Sequence, residues 1–257
     1  MSLAPPYTTL VLAGTRPGGD PLARYAGASH KALIEVGGVP MLLRVLRALA
    51  ASPAVARIAV ATERADVLAG FPDFGKAVAV VPAANGPSAS VAAALAREGT
   101  PLLVTTADHA LLQAAWVDEF VAATRRDVAA DAFVALARRE AVLAAAPDTA
   151  RTWLRFADGA ISGCNLFLLR TPAAVGVVRL WQQLESERKR PLSLLRRLGI
   201  AYLLRYRLGW LTLPQALDRL GRLAGARLAP VMLADGRAAI DVDKPADLEL
   251  ARRLVGP

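Results

Sequence analysis

Three groups of residues in this chain have the types and spacing to handle a phosphorylated ligand. The first is Val11-Leu12-Ala13-Gly14-Thr15-Arg16-Pro17-Gly18-Gly19-Asp20, followed by His30-Lys31-Ala32-Leu33. An apolar strand running into small residues lets backbone N–H groups wrap a polyphosphate. Glycine allows close approach where a Cβ would intrude, and a lysine beyond the loop brings a cation. On this reading the loop Gly14–Asp20 with Arg16 holds the phosphates, and Lys31 neutralises charge that builds during attack at phosphorus, while Leu12, Ala13 and Thr15 join Gly14 and Arg16 as candidate nucleotide-binding residues. The second group is Val104-Thr105-Thr106-Ala107-Asp108-His109, an apolar strand ending in a carboxylate, the hard oxygen ligand that Mg²⁺ takes. The third is Asp241-Val242-Asp243. Residues i and i+2 of a strand share a face, so both carboxylates could enter one cleft, and Asp108, Asp243 and Asp241 become the candidate metal ligands. Each group also has a plainer reading: a Gly-Pro surface loop, an aspartate capping the helix after its strand, and a helix start before Pro245. His109 is expected to be structural, because Mg²⁺ prefers oxygen.

These residues need a scaffold that brings distant positions together. Hydrophobic runs bounded by turn residues predict strands near Thr9–Ala13, Arg57–Thr62, Ala77–Pro82, Leu102–Thr106 and Ala132–Ala137, with helical patterns between them. Pro40 opens a helix with Leu42, Val45, Leu46 and Leu49 on one stripe, and Ser88 is placed to cap another through Val91 and Leu95. Alternating strands and helices give a mostly parallel α/β sheet covered on both faces, with ligands at the carboxyl ends of the strands. After Arg138, Trp153–Phe156 and Leu166–Leu169 around Asp158-Gly159 predict a hairpin, and a helix follows from Pro172 to Glu187. An amphipathic stretch from Leu192 to Leu208 comes next. Thr212 and Gln215 match a capping box ahead of Leu213, Leu217, Leu220 and Leu223. A strand at Leu228–Leu233 and a final helix after Pro245 close the pattern.

A length of 257 residues suits one α/β domain carrying an insertion. The expected domain is the whole chain, residues 1–257, with a helical Arg/Leu-rich insertion at 188–227. The net charge of +9 is concentrated there: ten basic residues and one acid, Asp218, lie between Arg188 and Arg227. Such a segment could meet anionic membrane or nucleic acid, although a solvated arginine face on ordinary helices is the plainer reading. No groove-reading motif accompanies it, which disfavours nucleic acid. Leu192–Trp210 is long enough to cross a bilayer but carries four arginines, each costing about 2.5–3.5 kcal/mol at mid-membrane, so spanning is excluded and an interfacial position stays open. The single cysteine, Cys164, excludes an internal disulfide and reads as packing. Met1–Tyr7 has neither a charged n-region nor an apolar h-region, so the expected location is the cytoplasm, including the inner face of the membrane.

Taken in order, Leu12-Ala13-Gly14 with Arg16, Lys31-Ala32-Leu33, Gly38-Val39-Pro40-Met41, the Asp108 strand end, Gly163-Cys164-Asn165 and Asp241–Leu248 resemble the successive motifs of the MobA-like NTP transferase (nucleotidyltransferase) family. That family includes molybdenum-cofactor guanylyltransferase, sugar-1-phosphate nucleotidyltransferases and cytidylyltransferases of small alcohol phosphates. The resemblance implies a Rossmann-like, mostly parallel mixed sheet of the nucleotide-diphospho-sugar transferase type. It also implies a Mg²⁺-dependent reaction of a nucleoside triphosphate with a phosphorylated small-molecule acceptor, such as a lipid-headgroup or glycan precursor, releasing pyrophosphate. By motif position Lys31 and Arg16 would be catalytic, Asn85, Gly86 and Ser90 of the Ala83–Ser90 loop would lie near the base, and Gly163 and Asn165 would face the acceptor. The chain departs from the family in having Thr15 before Arg16 and His30 before Lys31. Two other readings remain: a GT-A type glycosyltransferase consuming a nucleoside-diphosphate sugar, and a non-catalytic relative that docks on membrane.

Overall fold

The alternating pattern of β1 (Tyr7–Leu12) sends Leu10 into one helical layer and Val11 into the other, both fully buried. In the computed structural model, which describes residues 6–15, 18–187 and 199–256, β1 is flanked on both sides by parallel partners. These are β4 (Val55–Thr62) and β6 (Leu102–Thr106), and β5 (Val78–Pro82) extends the sheet beyond β4. β7 (Ala132–Arg138) and β10 (Leu228–Met232) form a second parallel pair. Between the two groups runs β9 (Gly159–Leu169), antiparallel to both β6 and β7, so the order is β10-β7-β9-β6-β1-β4-β5. β8 (Leu154–Phe156) forms a hairpin with the first residues of β9, Gly159–Ile161, around the expected Asp158-Gly159 turn, whereas Leu166–Leu169 pair with β6 and β7. A separate ribbon joins β2 (Glu35–Val36) to β3 (Val39–Pro40).

Helices cover both faces, as the sequence pattern requires. Met41–Ala51, Ala114–Thr124 and Pro245–Val255 pack on the Val11 side; Pro87–Glu98 and Ala174–Glu187 pack on the Leu10 side. Leu102, Leu103 and Val104 of β6 are almost wholly buried. At about 1.5–3 kcal/mol for each such side chain, β6 is a firm base for the Asp108 turn that follows it.

The chain between Ala174–Glu187 and β10 contains the helices Ile200–Arg207 and Leu213–Ala224. Thr212 and Gln215 cap the second of these reciprocally, as expected. The N-terminal part of the expected Leu192–Leu208 stretch lies outside the described residues. No helix among the described residues is long and apolar enough to cross a membrane.

Two expectations are corrected, and one element is added. Ser88 lies inside the first turn of its helix; Gly86, at φ +111°, holds the cap position, and Pro87 takes the first helical place that its fixed φ suits. Asp241–Asp243 is not a strand. It is a connector between the turn Gly236–Ala239 and the helix Pro245–Val255, held to the Asp108 turn by the Val242 N–H donating to the Asp108 carbonyl at 3.0 Å. The region after Arg138 opens with a helix, Arg139–Ala145, that the sequence pattern did not announce.

Candidate active site

The parallel strands end on one edge, and each contributes a turn there. β1 runs into Ala13, whose N–H is fixed by Ala61, and then into Gly14, where an added Cβ would come within 3.2 Å of the Ala83 Cβ. Glycine thus lets this loop lie against the loop after β5. Arg16 lies outside the described residues. From the end of β4, Glu63 reaches across to the loop: its Oε2 accepts the Thr15 N–H at 3.0 Å.

His30 ties this corner together. Its Nδ1 accepts the Ala32 N–H at 3.1 Å, which assigns the proton to Nε2. That Nε2 lies 2.8 Å from Thr15 Oγ1 and 3.1 Å from Glu63 Oε1. The two departures from the family pattern, Thr15 and His30, are therefore partners of one another. Burial works against ionisation of Glu63, but its own backbone N–H and that of Thr15 hold its carboxyl below the ordinary 4.5.

Lys31 follows on a single 3₁₀ turn, Lys31–Leu33. Its Nζ lies 2.6 Å from Asp108 Oδ2 and 2.7 Å from Asp243 Oδ1, joining residues 77 and 212 positions apart in the chain. Thr106 donates its hydroxyl to the other oxygen of Asp108 at 2.5 Å. The Lys31 and Asp108 side chains are mostly buried, while Asp243 is 66% exposed. Burial pulls the Lys31 ammonium down, but the two carboxylates outweigh it and hold the amine above its ordinary 10.5. Burial pushes the Asp108 carboxyl up, opposed by Lys31 and Thr106. Asp243 is oriented from behind, because Asp247 accepts the N–H groups of Asp243 and Lys244 at 3.2 and 3.1 Å.

Asp241 points to a neighbouring cluster. One oxygen pairs with Arg151 and the other accepts from Asn165 Nδ2 at 2.6 Å, while Arg151 Nε donates to Ser162 at 3.3 Å. Asn165 sits at φ +48°, where the pairing of β7 with β9 jumps from Val134–Phe167 to Leu136–Gly163. Asparagine tolerates this left-handed conformation better than most residues, and such bulges re-aim side chains at the edges of sites. Nothing lies within 4 Å of the position a Cβ would take on Gly163.

The loop after β5 closes another side. Ser90 Oγ accepts the Ala84 N–H at 2.9 Å and donates to the Gly86 carbonyl at 3.0 Å, while Asn85 is exposed. Glu185, from the helix Ala174–Glu187, takes the Ser88 N–H and hydroxyl, which pins the loop.

Among the described residues no three His, Cys, Asp or Glu side chains form a ready metal cage. Asp108 and Asp243 nevertheless converge on one cation, the Lys31 ammonium, and two carboxylates with phosphate oxygens make the hard-oxygen set that Mg²⁺ accepts. His109 is buried against Trp116 with ring centroids 6.1 Å apart, and burial drives its pKa down to about 4. Sequence reasoning missed Glu63, Arg151 and Thr106 as members of the site. Glu63 carries a signal that could have found it, since it directly follows a parallel strand at the ligand-binding edge.

A glycine turn, a lysine and two carboxylates gathered on the carboxyl edge of a mixed α/β sheet are the arrangement expected of a nucleotidyltransferase. The chain belongs to the family of the MobA-like NTP transferase domain, whose model matches residues 9–199. Among solved structures it is similar to a hypothetical transferase from Thermus thermophilus, at 28% identity over 95% of this chain and 99% of that one, with a TM-score of 0.78. The fold is shared with CMP:2-keto-3-deoxy-manno-octonic acid synthetase complexed with CTP, at 17% identity, 97% and 98% coverage and a TM-score of 0.59. It is shared too with a putative glucose-1-phosphate thymidylyltransferase from Bacillus anthracis, at 13% identity, 96% and 94% coverage and a TM-score of 0.60. No curated protein sequence matches the chain.

Proposed function

We propose that this protein transfers a nucleoside monophosphate from a nucleoside triphosphate to a phosphorylated small molecule, with Mg²⁺, releasing pyrophosphate. A phosphate oxygen of the acceptor attacks the α-phosphorus; the new P–O bond forms as the bond to the β-phosphate bridging oxygen breaks, and pyrophosphate leaves with that electron pair. The observation that carries this reading is the meeting of Lys31 with Asp108 and Asp243 at 2.6 and 2.7 Å on the edge that also holds the Gly14–Thr15 turn. Lys31 is a fixed positive charge, positioned before reaction and costing no reorganisation when charge builds on the α-phosphate. Asp108 and Asp243 would hold Mg²⁺, which supplies charge neutralisation across the triphosphate. Asp241, the third candidate ligand, instead has both oxygens engaged by Arg151 and Asn165, and in that state it orients the acceptor side.

In this assignment Leu12, Ala13, Gly14 and Thr15 line the phosphates, Asn85, Gly86 and Ser90 the base, and Gly163 with Asn165 the acceptor. The bulge that aims Asn165 toward Asp241 and the open space over Gly163 support that side of the assignment.

The reading is tested by assaying pyrophosphate release for each nucleoside triphosphate with a panel of sugar and alcohol phosphates. A productive pair should need divalent metal and lose about 10²–10³ in kcat with Lys31→Ala, the loss expected for one preorganised charge-stabilising group. Release of pyrophosphate that survives Lys31→Ala unchanged, or none with any pair, rejects it.

A further inference from the structure

Seven large apolar side chains are exposed among the described residues, and four of them, Ile200, Leu204, Leu208 and Trp210, fall within eleven consecutive positions. Their exposures of 66, 54, 55 and 66% leave more than half of each in water. Ile200, Leu204 and Leu208 are spaced four apart, so they form one stripe along the helix Ile200–Arg207 and the residue after it.

The opposite stripe is fastened to the body of the protein. Tyr206 packs edge-on against Phe156 at 5.6 Å between ring centroids, and its hydroxyl accepts the Arg155 N–H at 3.4 Å. The Tyr202 hydroxyl donates to the Gln215 carbonyl. Just beyond, the Ala157 N–H donates to the Leu211 carbonyl at 2.8 Å and the Leu213 N–H to the Asp158 carboxylate at 3.0 Å. The apolar stripe is thus held outward on a fixed base.

Position and charge say what it meets. β9 is antiparallel to its neighbours and its residue Ile161 lies opposite Arg138, the last residue of β7. The β8–β9 turn that anchors the helix therefore stands at the carboxyl edge of the parallel strands, where Lys31 and Asp108 lie. Arg205 and Arg207 are exposed on the same helix and Arg155 on β8 beneath it, with Arg205 also donating to Gln215 Oε1 at 2.9 Å, and from Arg188 to Leu217 the sequence holds no acidic residue. A second copy docked face to face would set these arginines against themselves. Three of the four side chains are aliphatic, so the stripe offers nucleic-acid bases a single stacking platform, Trp210, and no row of aromatics along which successive bases could stack. An apolar stripe with a terminal tryptophan and long arginines that can reach headgroups is instead the composition of a helix lying in a membrane interface.

We propose that Ile200, Leu204, Leu208 and Trp210 dock on an anionic bilayer surface, so that the edge carrying the candidate site faces a membrane. The docking rests on exposure and charge and is independent of the transfer reaction. It is tested by co-sedimenting the full chain with vesicles of phosphatidylglycerol and phosphatidylcholine in equal parts, and with phosphatidylcholine alone. The protein should pellet with the mixed vesicles, less so as salt rises, and remain in solution with phosphatidylcholine. The double variant Leu204→Glu/Leu208→Glu should bind at least about tenfold more weakly while unfolding at the same temperature as the parent. Arg205→Gln/Arg207→Gln should lose the salt-sensitive part. Failure to pellet with either vesicle, equal binding to both, or a dimer that only the Leu204→Glu/Leu208→Glu variant dissociates would each overturn the proposal.

Discussion

Two residue-scale arrangements lead to predictions. The first is the Thr15–His30–Glu63 corner, in which a buried imidazole accepts the Ala32 N–H, just after Lys31, with one nitrogen and meets Thr15 and Glu63 with the other. Replacing His30 with Ala should unfasten both, raising the KM for the nucleotide and lowering kcat together, because the loop and the lysine are set by the same ring. Glu63→Gln keeps the shape and should mainly raise KM. Because Glu63 is held below its ordinary 4.5, its charged grip is complete above that value and fades only as pH falls through the lower folded value. A pH profile of KM should therefore show no inflection from Glu63 between pH 5 and 8. The second concerns Cys164, beside Asn165, whose thiol is buried and pushed up to about 12. At pH 8 it is almost all thiol, so the native protein should resist alkylation that goes to completion in denaturant. Rapid labelling of the folded protein would contradict its placement. That Cys164 would be packing was legible from its isolation in the sequence, whereas the partnership of Thr15 with His30 was not, because no local period links positions fifteen apart.

Among the elements, what could be read in advance was what repeats locally. β6 spans Leu102–Thr106 as its apolar and β-branched run predicts, and the Thr212–Gln215 cap has its two partners three residues apart. Connectors carried no such signal. Arg151 comes from an irregular stretch before β8 and meets Asp241 only through the fold. The connector that carries Asp241 and Asp243 depends on Gly236, which begins a turn laid directly on the helix Arg139–Ala145; a Cβ there would fall inside the backbone of Ala141 and Val142. Backbone cannot yield as a flexible side chain can, so Gly236→Ala should move the connector or the helix. The expected cost is about 1–3 kcal/mol, the range for overpacked positions, measured by denaturant unfolding. Because the connector ends in Asp243, activity should fall further than the lost stability accounts for. Asp218→Ala, which removes an exposed i,i+4 pair with Arg222, should change stability by about 0.5 kcal/mol or less.

At the scale of the whole molecule, the fold class was legible because alternating strands and helices admit few topologies, while the site was legible only as separate motifs. The sheet joins them: β1, β4 and β6 set the Thr15, Glu63 and Asp108 turns side by side, and the last connector returns across the edge to complete the ring with Asp243. A ligand bound there would contact residues from both ends of the chain and so stabilise the molecule as a unit. At a hundredfold excess over Kd the gain is about 2.7 kcal/mol. For a chain of this size that is a rise in Tm on the order of 5–10 °C. The preferred nucleoside triphosphate should therefore raise Tm, and Mg²⁺ should add a further increment that metal chelation removes. Asp108→Asn and Asp243→Asn should abolish the Mg²⁺ increment while leaving a shift from nucleotide alone, since Lys31 and the phosphate loop remain. Lys31→Met should instead diminish the nucleotide shift itself. If Mg²⁺ added as much to both aspartate variants as to the parent, the metal would bind elsewhere and the convergence of Lys31, Asp108 and Asp243 would be a structural ion pair.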